Sequence, residues 1–342
     1  MEYLLEGLIL PLKSSENNLK KILFKITESI KKNISDKSIE IQSLKIVKKS
    51  IDARKKNNIK IVISLKLSTS SKISKEDMHN LKIKPYLYNK ETFTDQKINR
   101  KKNMNQPVIV GFGPAGIFCA LKLVELGYVP LIFERGKAVE ERVLDVSEFW
   151  NRGDLNEESN VAFGEGGAGT FSDGKLSTQI NNPLIKQIKE ALVRFGAPSE
   201  ILYEAKPHIG TDKLRIVLRN IREHLISKGV EINFSSKLTD IVVHDSKIKE
   251  IVINDKSSIL LDKLFLCIGH SAHDTYHLLY EKGVLLEPKP FAIGFRVEHP
   301  QILINQIQFG EKYKSHPLLS SASYKLTYRT ATGRNIFSFC MC

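Results

Sequence analysis

The ten residues from Pro107 to Gly116, PVIVGFGPAG, constrain this chain more than any other stretch. Pro107-Val108-Ile109-Val110 reads as a buried strand, and it runs into Gly111, Gly113 and Gly116 at Gly-x-Gly-x-x-Gly spacing. A helix follows, with Ile117, Ala120, Leu121 and Val124 on one face and Gly127 at its C-terminal cap. A second strand, Val129–Phe133, ends at Glu134. Gly111 permits the tight turn, Gly113 lets the backbone approach a pyrophosphate, and Gly116 lets the helix pack close to the strand. The helix N-terminus presents free N–H groups and partial positive charge to phosphate. A carboxylate at Glu134 accepts hydrogen bonds from ribose hydroxyls and repels a 2′-phosphate. The unit is therefore expected to bind a dinucleotide other than NADP.

A second glycine-rich stretch, Gly164-Glu165-Gly166-Gly167-Ala168-Gly169, has no apolar strand before it. It reads as a loop whose backbone lies against a flat ligand, although Asp173-Gly174 also suits a plain hairpin turn. Farther on, Leu214–Lys228 suits an amphipathic helix ending at Gly229. Val230–Phe234, Leu238–Val243, Ile248–Ile253 and Ile259–Leu261 read as short strands. Leu264–Gly269 reads as a buried strand stopping on a glycine.

The N-terminal third is different in kind. Residues 4–10, 39–47 and 59–67 read as strands and residues 17–32 as a helix, a β-α-β-β module of α+β type. Its domain is expected to span 1–67, followed by a mostly polar linker over 68–105 in which Lys82–Tyr88 can still pack on a neighbour. The net charge of +14 is concentrated here: residues 1–105 hold 24 basic and 11 acidic residues, the remainder 28 and 27. That asymmetry raises an RNA-contacting role for the module, with Lys48–Lys56 as its densest cluster. Its content of Lys, Ile and Asn, of the kind that low-GC genomes encode, is the plainer source of the charge. Tyr3 and Phe24 are its only aromatics before residue 86, which is not the pattern of a single-strand stacking platform. The acidic start, Met1-Glu2-Tyr3-Leu4-Leu5-Glu6, lacks the basic region of a signal peptide. The longest uncharged apolar stretch, Pro107–Leu121, is too short to span a bilayer. Four cysteines make no disulfide framework. A reduced cytoplasmic protein with no membrane partner is the expectation.

Residues 106–342 resemble the two-dinucleotide-binding-domain flavoproteins of the glutathione-reductase-like fold. The fingerprint ending in Glu134-Arg135 carries the likeness, as does the Leu238–Gly269 block with its Cys267-Ile268-Gly269 turn. Within that class, GEGGAGTFSDGKL at 164–176, KPFAIGFRVEHP at 289–300 and Phe339-Cys340-Met341-Cys342 resemble bacterial FAD-dependent dehydrogenases of unassigned substrate, as does the Lys49–Lys55 stretch KSIDARK. The resemblance implies an α/β architecture. A Rossmann-like FAD-binding domain with a β-meander covers 106–285, and part of a second, substrate domain covers 286–342. It implies FAD, with Gly111, Gly113, Pro114, Ala115 and Gly116 on the pyrophosphate and Glu134, beside Arg135, on the adenosine ribose. Gly166, Gly167, Ala168, Gly169, Thr170 and Ser172 lie toward the flavin half, and Gly269 closes the return strand. Relatives continue past Phe-Cys-Met-Cys, so this chain is expected to be a truncated family member or fragment, with an inactive remnant as one reading.

The chemistry expected is that of an FAD-dependent oxidoreductase acting with an unknown small-molecule substrate or electron partner. No residue identifies itself as the catalytic group. Lys175 suits the reduced flavin's negative edge or an ordinary loop. Cys340-x-Cys342 suits buried packing better than a redox pair. His270, His273 and His277 lack the further ligands of a metal site. Arg296, Glu298 and His299 suit either a substrate carboxylate or a surface ion pair.

Overall fold

The computed structural model describes residues 1–12, 16–86, 106–172, 174–176, 178, 180 and 182–338; of 16–18 only the backbone is described. The chain divides into two compact units. One comprises Met1–Lys90, Leu202–Pro207 and Ala292–Cys342, the other Glu91–Ile201 and His208–Phe291.

The first unit is built on β1 (Glu2–Pro11), β2 (Ile41–Asp52), β3 (Lys60–Thr69) and β4 (Ile83–Pro85), in the order β2-β3-β1-β4. Every pairing is antiparallel. Alternation decides which face is covered: Ile61, Ile63, Leu65 and Leu67 of β3 are buried, and the residues between them are half-exposed. The helix α1 (Glu16–Asn33) contributes Leu23, Ile26 and Ile30 to the same core. The four elements expected from sequence form, each within a few residues of its expected bounds except β2, which runs on to Asp52.

Two expectations need correction. Residues 68–81 are not linker, and β4 falls within Lys82–Tyr88, the stretch left open to packing. The segment forms α2 (Lys75–Asn80) and β4, and Ile73 and Ile83 are buried. This polar segment folds because its polar groups find partners. The Asp77 amide donates to Ser74 Oγ at 3.0 Å, capping α2, and the buried Asp77 carboxylate accepts from the Ser35 amide and hydroxyl. Residues 87–105 lie outside the described residues. Likewise, residues 292–338 do not stand apart as a second domain. Ile304 and Phe309 of α8 (Gln301–Phe309), with Ala322, are buried in the same core as β1 and β3. A short hairpin follows, β12 (Thr327–Arg329) with β13 (Asn335–Phe337).

The second unit holds a parallel sheet of β5 (Val108–Val110), β6 (Leu131–Phe133), β7 (Glu231–Asn233) and β11 (Leu264–Leu266), in the order β11-β5-β6-β7. The helix α3 (Pro114–Glu125) connects β5 to β6. Between β6 and β7 come α4 (Val139–Arg152), α5 (Leu184–Arg194) and α6 (Thr211–Ser227). Ile117, Ala120 and Leu121 of α3 share one buried cluster with Val217, Ile221 and Leu225 of α6. A meander of β8 (Leu238–His244), β9 (Lys247–Ile253) and β10 (Ser257–Leu260) separates β7 from β11. Its turns are made by consecutive left-handed residues, Asp245-Ser246 and Asn254-Asp255, types that tolerate positive φ. The helix α7 (His273–Glu281) follows β11.

Candidate cofactor site

The fingerprint glycines sit where the sequence puts them, at the end of β5 and the start of α3. A Cβ at Gly116 would overlap the Gly111 carbonyl oxygen, and one at Gly111 would overlap that of Cys267. Gly111 also adopts φ +99°, so both positions exclude a side chain. Gly113 is the N-cap of α3 and Pro114 opens the helix; no side chain caps this end. The first-turn amides thus keep their hydrogen-bonding capacity, and Ala115 beside them is exposed.

The second glycine loop lies directly against this turn. The Gly166 amide donates to the Phe112 carbonyl at 2.9 Å, and a Cβ at Gly113 would come 3.5 Å from Gly167 Cα. Gly169 faces Pro114, Ala168 is exposed, and Ser172 Oγ donates to the Gly169 carbonyl. Gly269 follows β11 at φ +73°, and its carbonyl accepts from the Tyr276 hydroxyl.

Glu134 has a role that sequence reasoning missed. Its carboxylate is buried and accepts three backbone N–H groups: Phe112 at 2.6 Å, Gly136 at 2.9 Å and Gly164 at 2.9 Å. It bolts the fingerprint turn to the second glycine loop. Arg135 is not directed to a lone ligand either. It pairs with Glu158 at 2.7 Å and Asp274 at 2.9 Å, and its guanidinium stacks 4.1 Å above the Phe163 ring. Lys237 joins the same two acids. The Asp274 carboxyl is held well below the usual carboxylate range: burial opposes its charge, and hydrogen bonds from Arg135 and Lys237 outweigh that. A polar cavity of about 410 Å³ opens here, lined in part by Arg135, Lys137, Glu158, Lys237 and Asn254.

Arg142 was also missed. It is fully buried, and it donates to the carbonyls of Asn160, Val161, Gly164 and Glu165 and to the Thr170 hydroxyl. Burial pushes its guanidinium down to about 10. It organises the loop that carries Gly164–Thr170. A signal existed: Val139, Arg142 and Val146 are one buried face of α4, which places an arginine among valines at helical spacing. Beside it, burial raises the Glu165 carboxyl, whose Oε2 accepts from the Val139 amide and from Arg222.

Of the remaining candidates, Lys175 pairs in a short bridge with His208. His270 and His273 make an edge-on ring contact, and His299 shares a hydrogen bond with Tyr324 at 3.0 Å. Cys340 and Cys342 lie outside the described residues. The Lys48–Lys56 cluster is partly met by acids: Lys49 pairs with Glu204, and Arg54 chelates Asp52. Among the described residues, no helix is long and apolar enough to cross a membrane.

Residues 290–342 match the family model described as "FAD-dependent protein, C-terminal domain-like", and the cofactor that this description names is FAD. The chain is 44% identical over 324 residues to an uncharacterized protein of Clostridium beijerinckii, covering 93% of this chain and 59% of that protein. The chain thus spans about three fifths of the length of this curated relative. Among solved structures, it is similar to THI4 of Thermovibrio ammonificans (16% identity, TM-score 0.36, 53% of this chain and 64% of that one). It is also similar to glycine oxidase of Bacillus cereus (13% identity, TM-score 0.34, 52% and 58%). At such TM-scores these likenesses say nothing about substrate or mechanism.

Proposed function

We propose that the second unit binds FAD and is the flavin-holding part of an oxidoreductase of the glutathione-reductase-like class. The observation that carries this reading is the uncapped N-terminus of α3, set between two glycine loops that meet backbone to backbone. The family model matched by residues 290–342 supports the same cofactor. The residues present fit the group. The amides of Gly113, Ala115 and Gly116 hold the pyrophosphate, Pro114 having no N–H to offer. Glu134, with three amides on its two oxygens, retains acceptor capacity for a ribose hydroxyl. Its negative charge disfavours a 2′-phosphate. Gly166–Ser172 and Gly269 lie toward the flavin half. FAD supplies the redox chemistry when bound, and the protein supplies position and electrostatics for a small-molecule substrate or an electron partner.

Ala115→Asp tests this without breaking the fold. Ala115 is exposed in the first turn of α3, where a carboxylate stabilises a helix but repels phosphate. The wild-type chain is expected to take up FAD and turn yellow. The variant should keep the wild-type melting temperature and bind FAD at least about tenfold more weakly, the effect of roughly 1.4 kcal/mol. A colourless wild type that takes up no FAD, or a variant with unchanged affinity, overturns the reading.

A further inference from the structure

The second glycine loop is costly to order. Four of the six residues from Gly164 to Gly169 are glycines, and Gly166 and Gly167 lie in the left-handed region at φ +81° and +60°. A glycine loses more backbone freedom on ordering than any other residue. Arg142 supplies the restraint from α4. Its Nε donates to the Asn160 carbonyl at 2.8 Å and its Nη2 to that of Val161 at 2.9 Å. Its Nη1 serves the Gly164 and Glu165 carbonyls at 3.3 and 2.7 Å and the Thr170 hydroxyl at 3.2 Å. That hydroxyl donates in turn to the Glu165 carbonyl at 3.0 Å, which ties the far end of the loop back to its start. These five acceptors bracket the glycine run, and all are neutral. The guanidinium also lies 4.9 Å from the centre of the Phe171 ring. A planar fork of five N–H groups suits this task. The three donors of a lysine ammonium diverge from a single atom and do not.

We propose that Arg142 is the positioning residue that makes this site select FAD over the ADP half of the same molecule. The inference rests on the FAD reading above. On that reading the fingerprint turn and Glu134 serve the ADP half, and the loop from Gly166 to Ser172 serves the flavin half. None of Arg142's hydrogen bonds goes to the fingerprint turn. Arg142 acts through the loop, by fixing its backbone before the cofactor arrives, so that binding does not have to order it. The geometry of the fork carries this role, because no acceptor is charged. Arg142→Lys, which keeps the charge and loses the fork, should therefore abolish the selection.

Calorimetric titration of the FAD-free 342-residue chain with FAD and with ADP tests this. The wild-type chain should bind FAD at least about tenfold more tightly than ADP. In Arg142→Lys, ADP affinity should stay at the wild-type value while FAD affinity falls at least about tenfold, toward that of ADP. That variant leaves buried carbonyls without donors. Thr170→Val removes only the hydroxyl link, with a side chain of nearly the same shape. It should show the same split to a smaller degree, and it decides the matter where Arg142→Lys fails to fold. Hydrogen exchange should quicken over residues 160–171 in both variants and keep its wild-type rate in β5 and α3. Equal losses of ADP and FAD affinity, or FAD affinity unchanged in both variants, overturn the proposal. A wild-type chain that binds neither nucleotide overturns the FAD reading, and this inference with it.

Discussion

At the scale of single residues, buried charges in the second unit act as tie points between loops. Glu134 joins three amides from three parts of the chain, and Arg142 joins the carbonyls of the segment in between. Removing a buried charged partner leaves several groups unsatisfied at once. Glu134→Gln replaces one acceptor oxygen by an NH₂ that faces N–H groups. It should lower stability by about 2 kcal/mol, seen as a lower midpoint in denaturant unfolding of the FAD-free chain. The Asp274 carboxyl is depressed, so its contribution is present above the ordinary carboxylate pKa and is lost as pH falls through the folded value, which lies lower still. Asp274→Asn should therefore melt below wild type at pH 7. The gap should close as pH is lowered below about 4, the ordinary carboxylate pKa. A gap that stays constant with pH would assign Asp274 a role other than its charge.

At the scale of elements, β5, α3 and β6 were legible because their signals are local. Strand, glycines, helical face and terminal acid follow one another within residues 107–134. α2 was not legible, and β4 was legible only as a stretch, Lys82–Tyr88, able to pack on a neighbour. Their segment is polar, β4 has three residues, and the partners of both lie far off in sequence: Ser35 for Asp77, and Tyr3, Leu4 and Leu5 for β4. The bolt at Glu134 was hidden for the same reason, since Gly164 comes 30 residues later. Carboxylate and terminal position suggested a ribose contact, but nothing local announced the amides. The cap of α2 gives a direct measure of how firmly this corrected segment is held. Ser74→Ala should cost about 1 kcal/mol, read from the unfolding midpoint. Hydrogen-exchange protection should fall first in residues 75–85.

At the scale of the whole molecule, the first unit is discontinuous, with its core drawn from both ends of the chain. Phe309→Ala should remove about 3–5 kcal/mol from that unit by leaving a cavity. Hydrogen exchange should speed up in β1 and β3, over two hundred residues earlier in the chain. Equal loss of protection in β5 and β6 would show instead that the two units melt as one. The discontinuity also has a consequence for how the protein comes into being. A ribosome releases the β1–β3 strands well before the residues that cover them, which run through Ala322. At roughly 5–20 residues per second, the opening module waits for tens of seconds with part of its apolar face uncovered. The parallel sheet, whose strands all lie between Val108 and Leu266, is made complete in that interval. The module begun before the sheet is closed only after it, which makes the waiting β1–β3 module the stage of biogenesis most exposed to chaperones and to misassociation.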